Sequence, residues 1–228
     1  MKQWIFDITN FFFPVYCPVC GNIIHSSNQV ICLTCELNMP RTGYEPGNDN
    51  PVGQIFWGRV KLMGAVSLFR FEKGSAYQSL LHQLKYNGAR HIGIYCGKLL
   101  GIELKSYIEN RVDYIIPVPL HRKKERKRGF NQSELIAKGI FSILNKPVLT
   151  DLVYRERNTD SQTRKNRFER WENMDGVFQL SKKAPDYEGC SFLLIDDVVT
   201  TGATLEACSN TLLQIPGSKV FVATVACA

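Results

Sequence analysis

Residues 193–205 read LLIDDVVTTGATL, an apolar run that stops at two adjacent carboxylates, Asp196 and Asp197, and then at hydroxyls around one glycine. Leu193, Leu194 and Ile195 read as the buried end of a strand, so the acid pair emerges at its carboxyl end, where α/β proteins bind ligands. Thr200, Thr201, Gly202, Ala203 and Thr204 read as a turn into a helix at Leu205. Backbone N–H groups at a helix start, beside three threonine hydroxyls, suit a phosphate monoester. Gly202 lets the backbone approach it. Carboxylates so near a phosphate are repelled by it and must address neutral donors, and a sugar cis-diol meets that requirement. The chain has no G-x-x-x-x-G-K-[ST] and no G-x-G-x-x-G, so neither a P-loop nor a dinucleotide fold is supported. Direct metal binding by the acid pair stays open.

A second chemical signal is C-x2-C-x11-C-x2-C in CPVCGNIIHSSNQVICLTC, formed by Cys17, Cys20, Cys32 and Cys35. Two C-x-x-C turns present paired thiolates, and the connection between them is long enough to bring the pairs into a tetrahedral S4 set. Soft thiolates in a reducing compartment favour zinc, and a closed four-sulfur shell makes the metal structural. A redox dithiol or disulfides are the alternative, and His25 is a minor alternative ligand. Cys96, Cys190, Cys208 and Cys227 stand in apolar surroundings and read as small buried hydrophobes.

The formal charge of +7 is local. In HRKKERKRG, Arg122, Lys123, Lys124, Arg126, Lys127 and Arg128 face one acid, Glu125, and across 155–170 six bases face Glu156, Asp160 and Glu169. Such placement points to an anionic ligand beside two segments, against the simpler reading of solvated loops.

These residues must be held by ordinary elements. A module near 15–40 is followed by RTGYEPGNDNPVG, whose Gly, Pro, Asn and Asp make a linker. FWGRVKLMGAVSLFRFE reads as one or two strands, SAYQSLLHQLKYNG has a helical stripe at Tyr77, Leu80, Leu81 and Leu84, and a second helix runs through IGIYCGKLLGIELKSYI. DYIIPVPL is a short buried strand, NQSELIAKGIFSIL a helix, and CSFLLIDD, LEACSNTLL and KVFVATVACA alternate strand, helix, strand. That order implies an α/β fold with a parallel sheet. No stretch reaches the roughly 18 apolar residues of a membrane span, and Asp7 sits where a secretory signal would be apolar, so a cytoplasmic location is expected. Trp4, Ile5, Ile8, Phe11 and Phe12 have helical spacing, which suits a helix packed on its own domain, with a membrane or partner anchor as the alternative.

LLIDDVVTTGATL resembles the phosphoribosyl pyrophosphate (PRPP) signature of type I phosphoribosyltransferases. CPVC with CLTC, LKYNG at 84–88, IIPVPLHRKKERKRGFNQS at 115–133, Gln162 and Arg167 in SQTRKNRFERWENMDGVF, and the terminal signature occur in the order found in the ComF family of competence proteins. The resemblance covers nearly the whole chain. It implies a type I phosphoribosyltransferase fold, a parallel sheet flanked by helices at 52–228, with an N-terminal helix and zinc-finger module at 1–45. By position, Asp196 and Asp197 would hold the ribose hydroxyls and Thr200, Thr201, Gly202, Ala203 and Thr204 the 5-phosphate. The PVPLHRKK turn would be the pyrophosphate loop, with Lys85, His121, Arg122 and Lys123 as contacts, and the segment from Gln162 to Arg170 a hood loop. Mg2+ would sit between pyrophosphate and diol.

The resemblance further implies a competence protein that supports uptake of single-stranded DNA, with a helicase of the competence machinery as partner. One diphosphate needs two or three cations, so the surplus at Arg126, Lys127, Arg128, Arg164, Lys165 and Arg167 suits a nucleic-acid backbone, with Phe130, Phe168 and Trp171 able to stack on bases. Anchoring of loops to the core is the plainer role for each aromatic. An active phosphoribosyltransferase of nucleotide metabolism is the alternative, and a zinc-stapled scaffold without activity the next. Purine-salvage relatives carry Asp where this chain has Thr200, so no general acid or base is evident, although a pyrimidine or amine acceptor would not need one.

Overall fold

Residues 10–47, 49–72, 74–86, 89–156 and 176–228 are described by a computed structural model. In chain order the elements are α1 (Leu33–Leu37), α2 (Pro51–Gln54), β1 (Gly64–Arg70), α3 (Tyr77–Tyr86), α4 (Arg90–Ile108), β2 (Tyr114–Pro117), α5 (Arg122–Arg128), α6 (Gln132–Leu144), β3 (Val153–Arg155), β4 (Phe178–Leu180), β5 (Ser191–Val199), α7 (Ala203–Leu212) and β6 (Lys219–Cys227). β1, β6, β5 and β2 form one parallel sheet in that spatial order, and β3 pairs antiparallel with β4. The apolar runs of β1, β5 and β6 are buried almost throughout, as parallel strands covered on both faces must be.

Alternation along β5 divides the core. Leu193 and Ile195 face Leu80, Leu84, Ile92, Leu100, Ile136 and Ile140 of α3, α4 and α6. Phe192 and Leu194 face Leu205, Cys208 and Leu212 of α7, together with Val153 and Phe178 of the small hairpin. Neither that hairpin nor α5 stands out in the sequence. β3 and β4 have three residues each, and α5 buries none of its seven, so neither carries a hydrophobic period. Of the expected one or two strands in 56–72, the chain forms β1 alone.

Residues 41–47 and 49–53 are tied down instead of hanging as a linker. Asn50 caps α2 by accepting from the amides of Val52 and Gly53, each at 2.9 Å, and its Nδ2 donates to the carbonyls of Glu45, Gly47 and Ala65. The cysteine module is not isolated either: Cys17, Ile24, Ile31, Cys35 and Met39 share one continuous core with Leu68, Phe69, Leu80 and Leu84. Among the described residues no helix is long and apolar enough to cross a membrane. Of the amphipathic N-terminal stripe, Trp4, Ile5 and Ile8 lie outside the described residues, while Phe11 and Phe12 are exposed.

α4 and α6 cross at glycines. A Cβ on Gly139 would stand 2.2 Å from the Ile94 carbonyl oxygen, and one on Gly97 2.1 Å from that of Ile136. The missing side chains let two backbones touch and fix the layer from which the start of α6 reaches the sheet. Gly139→Ala should therefore part the helices and lower stability by about 1–3 kcal/mol in chemical denaturation. An unchanged midpoint would contradict the close crossing.

Candidate functional site

β2 stops opposite Ile195, where the Val118 amide makes a last bond to the Ile195 carbonyl at 2.9 Å. β5 runs on to Val199 against β6, with Asp196 opposite Thr224 and Val198 opposite Ala226. Asp196 and Asp197 thus lie within the strand, not beyond it, because its β6 edge stays paired. On the β2 side, among the described residues, no strand accompanies them. This is the step in a parallel sheet at which α/β folds open a crevice.

The ends of two helices reach the acid pair at that step. Ser133, second residue of α6, donates its hydroxyl to Asp196 Oδ1 at 3.0 Å, and the Asp197 amide donates to the same oxygen at 2.9 Å. Lys85, in the last turn of α3, places Nζ 3.0 Å from Asp197 Oδ2. Asn131 makes the arrangement rigid: it caps α6 by accepting from the Ser133 amide at 3.1 Å and donates Nδ2 to the Val118 carbonyl at 3.0 Å. One buried side chain therefore joins the end of β2 to the start of α6.

Burial pushes the Asp196 carboxyl up, the neighbouring Asp197 charge adds to it, and the Asp197 amide, the Ser133 hydroxyl and the Lys85 ammonium offset part of the rise, leaving it at about 7. The field extends to β3. Burial pulls the Arg155 guanidinium down, and the charges of Asp196 and Cys208 pull against it. Arg155 also lies over the Phe178 ring, 5.5 Å from its centroid.

Beyond the acids, Thr200 is exposed, Thr201, Ala203 and Thr204 are half-buried, and Gly202 is buried. Gly202 has φ of 75° and precedes α7, which no side chain caps, so the first-turn amides carry the positive end of the helix dipole. A Cβ there would also meet Ile55 and Phe56 at 2.8 and 2.9 Å. Arg59 locks the turn: its Nη1 donates to the carbonyls of Thr201 at 2.7 Å and Ile55 at 3.0 Å, and its Nη2 pairs with buried Glu206.

The basic run folds as α5, a helical excursion whose base is closed by the Asn131–Val118 bond. His121 Nδ1 accepts from the Lys123 amide at 3.2 Å, so this imidazole is the helix cap. Arg122, Lys123, Arg126 and Lys127 are exposed and Arg128 half-buried. Phe130 is half-buried with the Arg90 guanidinium over it, 5.7 Å from the ring centroid, which supports its anchoring role. Gln162, Arg164, Lys165, Arg167, Phe168 and Trp171 lie outside the described residues, between β3 and β4.

Cys17, Cys20, Cys32 and Cys35 bring their sulfurs within 4.8 Å of one another, and the Cys20 and Cys32 sulfurs are 3.6 Å apart. A tetrahedral zinc with bonds of about 2.3 Å has sulfurs about 3.8 Å apart, so the set fits that ion. Burial pushes the Cys17 thiol up, but the amides of Cys20, Cys32 and Val19 outweigh it and bring it to about 7, while burial and the other thiols push Cys35 up. Bound zinc would supply structural cross-linking with no open position for chemistry.

Ser133, Asn131, Arg59 and Arg155 were missed as site residues by sequence reading. NQSE carries the pattern of a cap followed by an acid in the first helical turn, which could have placed Ser133 at a helix start, whereas nothing near Arg59 marks it.

Folding raises the Asp196 pKa, so the native state holds this proton more tightly than the unfolded chain, and stability falls as pH rises from about 4 through about 7. Asp196→Asn should accordingly raise the melting temperature at pH 8 and leave it nearly unchanged at pH 4. Thermal unfolding at both pH values checks this, and a lower melting temperature for the variant at pH 8 would contradict it.

No family model matches the chain. Solved structures with a loose likeness include an adenine phosphoribosyltransferase (16% identity, 67% of this chain, 75% of that chain, TM-score 0.41) and the Saccharomyces cerevisiae adenine phosphoribosyltransferase (16%, 62%, 69%, TM-score 0.39). Among curated proteins, competence protein F of Haemophilus influenzae is 32% identical over 47% of this chain and 47% of its own length, so the match spans about half of that relative. Competence protein ComFC of Bacillus subtilis is 26% identical over 87% of this chain and 71% of its own length. DNA utilization protein YhgH of Salmonella typhi is 30% identical over 92% of this chain and 95% of its own length. With a relative matched nearly end to end, the chain belongs to the ComF family of competence proteins.

Proposed function

We propose that this chain binds PRPP or a related phosphoribosyl ligand at the sheet step and serves competence by handling single-stranded DNA. The observation that carries the first half is the pairing, on one continuous stretch, of a half-enclosed acid pair with an uncapped helix start a few residues downstream. Asp196 and Asp197 accept from the ribose hydroxyls, and the 5-phosphate sits on the first-turn amides of α7 with Thr200, Thr201 and Thr204 around it. Mg2+ would accompany the diphosphate and offset its charge. Lys85, 3.0 Å from Asp197, exchanges that carboxylate for the diphosphate when the diol takes its place. Gln132, 3% exposed at the first position of α6, has an Nε2 with no hydrogen-bond partner among the described residues, and it offers one more donor beside Ser133. The Thr turn itself holds no titratable side chain, so the phosphate end of the site is suited to binding.

The DNA half rests on α5, where six cations on a helix with no buried residue exceed what one diphosphate needs. The names of the relatives, competence protein and DNA utilization protein, agree with it. The Haemophilus match spans about half of that protein, so its whole activity belongs to this proposal only as a reading.

Calorimetry with PRPP and Mg2+ tests the site. Hydrogen bonds to charged groups are worth about 1.5–3 kcal/mol each, so Asp196→Ala with Asp197→Ala should weaken binding by more than ~100-fold. Equal affinity in the double variant would overturn the placement.

With four to six phosphates contacted, log K for single-stranded DNA should fall with log salt at a slope of about −3 to −4, and neutralising Arg126, Lys127 and Arg128 should flatten it by about 2. A flat response, or tighter binding to duplex, would instead favour an enzyme of nucleotide metabolism with no DNA role.

A further inference from the structure

The four-cysteine module and the acid pair are joined by one helix. At its start, the Tyr77 hydroxyl donates to the Cys35 carbonyl at 2.7 Å, and the Ser79 hydroxyl donates to the Pro18 carbonyl, inside the first C-x-x-C turn. Both C-x-x-C turns are thus bonded to α3. Along its length Leu80, Leu81 and Leu84 pack into the core that also holds Cys17, Ile24, Ile31 and Cys35. At its end Lys85 meets Asp197. Ten residues of α-helix span about 15 Å, so one element reaches from the cysteine module to the acid pair.

We propose that α3 is a strut through which the metal-loaded cysteine module sets the position of Lys85 at the acid pair, with Tyr77 and Ser79 as its positioning residues. Bound zinc would hold Pro18 and Cys35 in fixed relation, because Cys17, Cys20, Cys32 and Cys35, whose sulfurs lie within 4.8 Å of one another, would share its shell. Two hydroxyls transfer that fixed relation to the first turn of α3. When the module slackens, α3 loses both hydroxyl anchors while its leucines stay in the core, and the Lys85 ammonium is held less firmly beside Asp197. The coupling makes ligand affinity responsive to whatever removes the metal or oxidises its thiolates. It rests on the phosphoribosyl reading of the site for its effect on ligand, though not for the strut itself.

The test keeps the full, zinc-loaded chain and replaces Tyr77→Phe with Ser79→Ala, which leaves the apolar helix face intact. Zinc content should stay at one per chain, and the dissociation constant for PRPP with Mg2+ should rise about three- to tenfold. In a Lys85→Met background the same pair of changes should alter it less than twofold. Chelation of zinc should weaken PRPP binding at least as much in the parent chain, again with little further effect beside Lys85→Met, and circular dichroism verifies that the helices persist. Parental affinity in the Tyr77→Phe, Ser79→Ala protein, or an equal loss in the Lys85→Met background, would overturn the strut.

If the parent chain does not bind PRPP at all, the phosphoribosyl reading fails while the strut is still decided by carboxyl 13C titration. Lys85→Met should raise the Asp196 midpoint. The strut predicts a rise in the same direction in the Tyr77→Phe, Ser79→Ala protein, and an unmoved midpoint would overturn it.

Discussion

Two adjacent carboxylates inside a parallel strand are the constraint that the surrounding structure answers. A strand paired on both sides would bury Asp196 among apolar neighbours, where an ionised carboxylate costs several kcal/mol. The sheet avoids this by ending β2 at Pro117, opposite Ile195, one residue before the first acid. Into the step come a hydroxyl, an amide and an ammonium, each at about 3 Å from a carboxylate oxygen. The strain is not removed, since Asp196 still titrates near 7. A group kept costly in the native state, at the end of a strand and beside an uncapped helix, is what the proposed ligand site requires, since such sites give up stability to function.

The same constraint explains why residues far apart in sequence converge. Ser133 serves Asp196 only if α6 starts at the step, and Asn131 secures that start to Val118. α6 stays against α4 because glycines let their backbones meet. Lys85 arrives on a helix bonded to the cysteine module, and the Thr-rich turn is held in shape by Arg59 from the segment after α2. The module is therefore part of the architecture of the site as well as of its own small fold.

What could be read from the sequence is what is local in the chain. The cysteine spacing, the apolar run ending in acids and the TTGAT turn each specify their geometry over a few residues, and the structure brings the four sulfurs together and places Gly202 at positive φ. The helices α3, α4, α6 and α7 and the strands β5 and β6 fall where their periodicity puts them. Contacts set by tertiary packing were not legible. Ser133 reaches across 63 residues to Asp196, and Arg59 across 142 to Thr201. α5 escaped for a different reason: a helix that buries nothing has no stripe, and its signals were confined to His121 at one end and Gly129 at the other. Lys85 was expected at a phosphate, and it stands 3.0 Å from Asp197, a contact across 112 residues that no local pattern announces.

The most direct measurement of the central claim is a crystal structure of the chain soaked with ribose 5-phosphate. The account predicts the 2- and 3-hydroxyls within hydrogen-bonding distance of Asp196 and Asp197, the phosphate on the amides of Ala203 and Thr204, and Lys85 drawn away from Asp197. A phosphate bound along α5, with Lys85 still closed on Asp197 and the sheet step without sugar, would contradict it.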